Sequence, residues 1–183
     1  YQMILDGSEP YLGVVLEYPN SSYDNEENTK STTIDIESNG KSRLSIDGSV
    51  AGSHRSDKVT VGVIGSGLFA NGTMLPAMKK VKEISTVGIS SRTGLKVRHT
   101  AKKFGFSYCT TDAKDLIKDA DIDMLAVLTR HDSHASLVSS ALSSGKHVFV
   151  EKPLAVDQEQ LKDVVQAYNN SRSEDQDAPR LMV

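Results

Sequence analysis

Cysteine, surplus positive charge and long apolar runs are what this sequence has least of, and each shortage excludes something. Cys109 stands alone, so the chain can form no internal disulfide and offers no cluster of thiolate metal ligands. A single cysteine reads as a small buried hydrophobe rather than a catalytic thiol, and it agrees with a reducing compartment. Lys+Arg number 21 against 24 Asp+Glu, a formal charge of -3, so the basic excess of a non-specific nucleic-acid or membrane-surface binder is missing. No apolar stretch approaches the length of a membrane span, and the amino end carries no signal-peptide pattern. The expectation is a cytoplasmic protein with no nucleic-acid and no membrane partner. An initiator methionine is also missing, the first residue being Tyr1, and the chain is expected to be a piece of a longer one. Its 183 residues suffice for one domain, or for one domain plus an appendage, and the second fits the pattern better.

What is there is organised around Val59-Thr60-Val61-Gly62-Val63-Ile64-Gly65-Ser66-Gly67-Leu68-Phe69-Ala70. An apolar run with the content of a buried strand enters glycines and then a helix-forming segment. Gly65 permits a tight turn, Gly67 lets the backbone approach a pyrophosphate, and Ala70 is small enough for the helix to pack on the strand. The helix start offers unpaired amides and the positive end of its dipole to phosphates. Leu68, Phe69 and Ala70 fall in the same loop and are counted with the two glycines as cofactor-binding. A bare G-x-G-x-x-A is weak evidence, and the strand before it and the helix after it are what strengthen it.

The rest of the chain alternates. After a helix over 69–81, which Pro76 should kink or break, come a strand over 85–90, a basic helix over 95–104 stopped by Gly105, and a short strand at 108–110. Thr111 or Asp112 caps a helix through 117–118, and an apolar strand lies within 121–128. A helix over 133–143 stopped by Gly145, a strand over 147–150 and a helix over 158–168 follow. This order predicts an α/β fold: a doubly wound parallel sheet of the Rossmann type, with its ligand at the carboxyl ends of the strands. Ahead of it, residues 11–18 and 31–36 read as two strands that pair as a short β appendage, within a remnant of a preceding domain over 1–36. Residues 37–57, rich in Ser, Gly and charge, read as a linker. The nucleotide-binding domain is then 58–183.

Three further pieces fall at strand ends: Ser90-Ser91-Arg92, Thr129-Arg130-His131-Asp132-Ser133-His134, and Gly145-Lys146-His147-Val148-Phe149-Val150-Glu151-Lys152-Pro153. With the glycine loop, they make residues 58–183 resemble the Gfo/Idh/MocA family of NAD(P)-dependent sugar and cyclitol oxidoreductases. The long Gly-Lys-His-Val-x-x-Glu-Lys-Pro run is the most specific part. The resemblance implies that Lys152 lies beside nicotinamide and substrate as the catalytic residue. It also implies that Glu151 and Thr129 shape the cofactor pocket and that His134 lies on the cofactor side in a structural role; Arg130 and His131, in the same loop, are counted with them as cofactor-binding. Arg130 departs from the family, which usually has proline there. The family's pattern further implies that 180–183 opens the strand leading to an absent substrate domain, through which homo-oligomers form. Tyr1-Gln2-Met3-Ile4-Leu5 and Tyr11-Leu12-Gly13-Val14-Val15-Leu16-Glu17-Tyr18 look like the last helix and closing strands of a zinc-type medium-chain alcohol dehydrogenase domain.

Competing readings are blander. Lys152 without its surrounding run is a surface lysine. His131 and His134 share a helix face at metal-ligand spacing, but no third ligand is in sight, and Asp132 or Ser133 is better read as a helix cap. A triad of Ser133, His134 and Asp132 fails because adjacent residues point apart. Cofactor choice rests on the end of the second strand of the nucleotide-binding domain, where an acid would hold an NAD ribose. Ser90, Ser91 and Arg92 stand there instead, which favours NADP over NAD, unless Arg92 merely faces solvent. The parent protein is expected to transfer hydride between nicotinamide and a sugar or cyclitol hydroxyl or carbonyl, the fragment alone being inactive. The alternative is a dinucleotide-sensing or scaffold module that has lost catalysis.

Overall fold

The computed structural model describes residues 33–36, 58–172 and 178–183. Among these, seven strands form one sheet: β1 Thr33–Asp35, β2 Val59–Ile64, β3 Ile84–Ser90, β4 Tyr108–Thr110, β5 Met124–Val127, β6 His147–Val150 and β7 Leu181–Met182. Their order is β1-β4-β3-β2-β5-β6-β7. The chain winds outward from β2 through β3 to β4, then returns to place β5 on the other side of β2 and winds outward again. All pairs are parallel except β1 with β4.

Helices cover both faces, and alternation along the strands divides two cores between them. Val61 and Val63 of β2 point to one face, where they meet Leu75 and Met78 of α1 (Leu75–Met78) and Val97 and Ala101 of α2 (Gly94–Phe104). Ile64 points to the other, which is covered by α3 (Ala113–Lys118), α4 (His134–Ser143) and α5 (Gln158–Ser171) through Leu116, Leu142 and Val164. Gly62 shares that second face, where a Cβ would meet Ile122 Cδ1 at 2.7 Å and Leu125 Cδ2 at 2.9 Å. Each fully buried aliphatic side chain stabilises the fold by about 1.5–3 kcal/mol relative to exposure.

The doubly wound α/β architecture is the one the alternating pattern predicts, and local differences have physical reasons. The segment before α1 is π-helical over Ala70–Met74, the Leu75 amide donating to the Ala70 carbonyl five residues back. Pro76 neither breaks the helix nor ends it. Lacking an N–H and crowding the carbonyl four residues before it, the proline is accommodated by a widened turn upstream, and the helix continues to Met78. Thr33–Asp35 runs antiparallel along β4, with Ile34 opposite Cys109, while its expected partner 11–18 lies outside the described residues. It occupies backbone groups that a bare edge strand would leave open, and the Ile36 amide extends the pairing to the Ser107 carbonyl at 2.9 Å. Residues 1–18 and 37–57 lie outside the described residues.

The specific run at 145–153 spans the sheet from end to end. At its start Gly145 has φ +75°, ending α4, and Lys146 Nζ donates to the carbonyls of Asp119 and Ile122 at 2.7 and 2.6 Å, capping the end of α3. Burial pushes the Lys146 ammonium below its ordinary value, against the opposing charges of Asp119, Asp123 and Asp121. His147 Nδ1 accepts from the Arg180 amide at 3.0 Å and so helps place β7. The first third of the run therefore builds the sheet, while Glu151 and Lys152 emerge at its carboxyl edge.

Candidate dinucleotide site

Where the chain reverses direction between β2 and β5, their following loops diverge and leave a crevice. A cavity of about 650 Å³ occupies it, lined by loops from four strand ends. Gly65, Ser66, Gly67, Leu68 and Phe69 follow β2; Ser90, Ser91, Arg92 and Thr93 end and follow β3; Thr111 and Asp112 follow β4; Thr129, Arg130, Asp132 and Ser133 follow β5.

The two glycines differ in purpose. Gly65 has φ +113°, and a Cβ on it would lie 2.5 Å from the Leu128 carbonyl oxygen. The turn there is clamped, because the Gly65 amide donates to the Ser90 carbonyl and the Leu128 amide to the Ile64 carbonyl, both at 2.8 Å. Gly67 has nothing within 4 Å of its Cβ position and faces open space. Asn71, which sequence reasoning missed, holds the loop between them: its Nδ2 donates to the Ser66 and Gly67 carbonyls at 2.7 and 3.1 Å, and its Oδ1 accepts from Thr100 Oγ1 at 3.1 Å. With those carbonyls turned to Asn71, the loop can present amides to the cavity. An asparagine four residues after the second glycine was the available signal. Ala70, counted among the cofactor-binding residues, is instead fully buried beneath the loop and off the cavity wall, because its small side chain packs into the core between helix and strand.

On the opposite wall, the loop after β5 forms a one-turn 3₁₀ helix, His131–Ser133, leading into α4. Ser133 occupies the cap position of α4 but makes no capping bond with its side chain. Its hydroxyl donates to the Arg130 carbonyl at 2.9 Å and lies 2.8 Å from Thr129 Oγ1, which fixes the threonine at the cavity edge. Asp112, by contrast, caps α3 as expected, accepting from the Lys114 amide at 2.9 Å. His134 is completely buried, with Nδ1 2.7 Å from the Pro153 carbonyl oxygen and Nε2 3.1 Å from that of Thr129. Its ring sits edge-on to His131 at 5.7 Å, and its two nitrogens face carbonyls rather than a shared metal position.

Glu151 is tied to β5 through its amide, which donates to the Val127 carbonyl at 3.0 Å. Lys152 precedes a cis peptide to Pro153, and its Nζ lies 3.5 Å from Glu151 Oε1 with the side chain 85% exposed. Of the expected residues, Gly65, Gly67, Leu68, Phe69, Ser90, Ser91, Arg92, Thr129 and Arg130 line the cavity. His131 and His134, after β5, and Glu151 and Lys152, at the neighbouring end of β6, stand outside its lining. Cys109 is buried in β4, where burial pushes its thiol up despite the Arg98 charge, the state of an unreactive thiol.

A clamped glycine turn, an open face over the second glycine and a cleft at the reversal point of a doubly wound sheet define a Rossmann dinucleotide-binding domain. These features fit the pyrophosphate of an NAD-type cofactor, with Gly65, Gly67 and the loop amides as its cradle. The model of the Gfo/Idh/MocA oxidoreductase family, NAD-binding Rossmann fold, matches residues 59–173, and the chain belongs to that family. It is 36% identical over 96 residues to dTDP-3,4-didehydro-2,6-dideoxy-alpha-D-glucose 3-reductase of Saccharopolyspora spinosa, covering 52% of this chain and 29% of that protein. Identity is 26% over 106 residues with inositol 2-dehydrogenase/D-chiro-inositol 3-dehydrogenase of Lactiplantibacillus plantarum, covering 57% and 30%. Among solved structures, KijD10, a 3-ketoreductase from Actinomadura kijaniata in complex with NADP, superposes with a TM-score of 0.58 at 28% identity, over 62% of this chain and 36% of that one. The chain thus spans about a third of the length of the relatives it matches. Among the described residues, no helix is long and apolar enough to cross a membrane.

Proposed function

We propose that this domain binds NADP in preference to NAD, in a cytoplasmic protein that moves hydride between nicotinamide and a sugar or cyclitol hydroxyl or carbonyl. The observation that carries the cofactor preference is the end of β3. Ser90, Ser91 and Arg92 all line the cavity there, with no acid among them to hold a ribose 2′-hydroxyl. Arg92 supplies a fork of donors suited to a 2′-phosphate. The bound cofactor would supply the hydride chemistry. The chain's own residues orient it, Gly65 and Gly67 by letting backbone amides close on the pyrophosphate and Thr129 by bounding the cleft. Lys152 Nζ stands beside the nicotinamide, where it adds to cofactor affinity, and it hydrogen-bonds the substrate oxygen, giving that oxygen a proton as the neighbouring carbonyl carbon receives hydride and taking the proton back in the reverse direction. The names of the relatives, a sugar-nucleotide reductase and an inositol dehydrogenase, support that substrate class. In this reading the substrate side and the homo-oligomer contacts belong to further chain, as the length of the relatives suggests.

Calorimetric titration of the wild type and Arg92→Ala with NADPH and NADH tests this. NADPH should bind the wild type more tightly, and the variant should lose about tenfold or more of that affinity with little change for NADH. Equal affinities in both proteins refute the preference, and no binding of either refutes the cofactor domain. A second reading is favoured by one observation: Lys152 stands outside the cavity lining, as it would in a dinucleotide-sensing module. Undiminished cofactor-dependent turnover in full-length Lys152→Ala would show that this lysine takes no part in catalysis, and an absence of any turnover would favour the sensing module.

A further inference from the structure

His134, expected on the cofactor side in a structural role, lines no part of the cavity and is the one histidine among the described residues with no exposed surface. Its ring bridges two loops that carry the chemistry. Nδ1 is 2.7 Å from the carbonyl oxygen of Pro153, the residue after Lys152, and Nε2 is 3.1 Å from that of Thr129, at the cavity wall. Both partners are carbonyls, which only accept, so each contact is a bond only where the ring carries a proton. A neutral ring has one proton to place, and the shorter contact claims it for Nδ1.

From this we infer that His134 is a positioning residue: with Nδ1–H donated to Pro153, it fixes the Glu151-Lys152-Pro153 turn against the loop after β5, and so sets where the Lys152 ammonium stands relative to the cofactor. The α4 backbone holds the ring rigidly, since His134 is the first residue of that helix and Ala135 and Val138 beside it are buried in the core. Glu151 is pinned on its other side by the bond to Val127. Among the described residues Lys152 makes one ion-pair contact, 3.5 Å from Glu151, and extends into solvent, so its backbone anchors determine where it can reach.

This inference rests on the cofactor reading, and its test is chosen to separate the two. Nitrogen-15 NMR of the wild-type imidazole locates the proton with no cofactor present. It is expected on Nδ1, and a proton confined to Nε2 overturns the proposal. NADPH affinity is then compared for His134→Asn, His134→Gln, Lys152→Ala and the Asn and Gln variants combined with Lys152→Ala. An asparagine places its amide near the Nδ1 position and a glutamine near that of Nε2. His134→Asn should therefore retain near-wild-type affinity, while His134→Gln falls by about tenfold, as Lys152→Ala does, and adds nothing to it in the double variant. Rescue by Gln instead of Asn, or losses that multiply in the double variant, overturn it. A wild-type chain that binds neither NADPH nor NADH defeats the cofactor reading, while the position of the ring proton still decides this one.

Discussion

Replacing each glycine of the loop by alanine should separate folding from binding within a stretch of three residues. At Gly65 the added Cβ meets two obstacles. The backbone sits at φ +113°, which a residue with a side chain occupies at a cost of about 1–3 kcal/mol. The Cβ would also lie 2.5 Å from the Leu128 carbonyl oxygen and 3.1 Å from the Thr129 amide nitrogen. Neither atom is the end of a flexible side chain, and the Leu128 amide is bonded to Ile64, so relief means moving β5 away from β2. Overpacking of that kind costs about a further 1–3 kcal/mol, giving about 2–6 kcal/mol in all. Gly67 has no neighbour within 4 Å of its Cβ position, and its φ lies outside the positive region. Gly67→Ala should change stability by no more than about 0.5 kcal/mol. Its methyl, however, occupies the space where a pyrophosphate would meet the backbone, and affinity should fall by about tenfold or more. Urea denaturation followed by circular dichroism, and calorimetry with NADPH, measure the two quantities. An unchanged urea midpoint for Gly65→Ala, or wild-type affinity in Gly67→Ala, would refute this division of labour.

Two further outcomes follow from side chains that hold the scaffold. Asn71→Asp puts an acceptor where two carbonyls now receive an amide, so it should destabilise the fold more than Asn71→Ala, which loses about 1–2 kcal/mol; urea midpoints in the reverse order would contradict the assigned orientation of the amide. At the opposite edge of the sheet, burial raises the Asp123 carboxyl, but bonds from the Thr60 hydroxyl and amide, with the charges of Lys146 and His147, outweigh it and hold it below the ordinary aspartate value. A carboxyl depressed in the folded state contributes stability above its unfolded value and loses it as pH falls through the folded one. Stability should therefore decline in acid, and Asp123→Asn should be less stable at neutral pH with a shallower acid decline. Urea midpoints measured across that pH range check this, and identical pH slopes for both proteins would remove Asp123 from the account.

Much of the site was legible because its requirements are local. A strand, a turn that needs a positive φ and a helix start are specified by adjacent residues, so Val59–Ile64 and Gly65 could be placed from the sequence. Gly145-Lys146-His147 and Glu151-Lys152 read as one motif, but Lys146 and His147 act on carbonyl and amide groups from distant elements. Asn71 was missed for a related reason, since an asparagine inside a helical stretch shows its purpose only when the carbonyls it bonds turn toward it.

By itself the sequence determined the alternation of strands and helices, the glycine turn and the residues at each strand end, because these depend on backbone freedom and on apolar periodicity along short stretches. Tertiary structure decided the rest. Only pairing across the sheet sends Thr33–Asp35 antiparallel along β4, and only the reversal between β2 and β5 opens the cleft where four loops converge. Only the packing of α4 brings the His134 ring between Thr129 and Pro153. Each of these depends on groups far apart in the chain, whose meeting is set by the burial of two hydrophobic faces rather than by any neighbour in sequence.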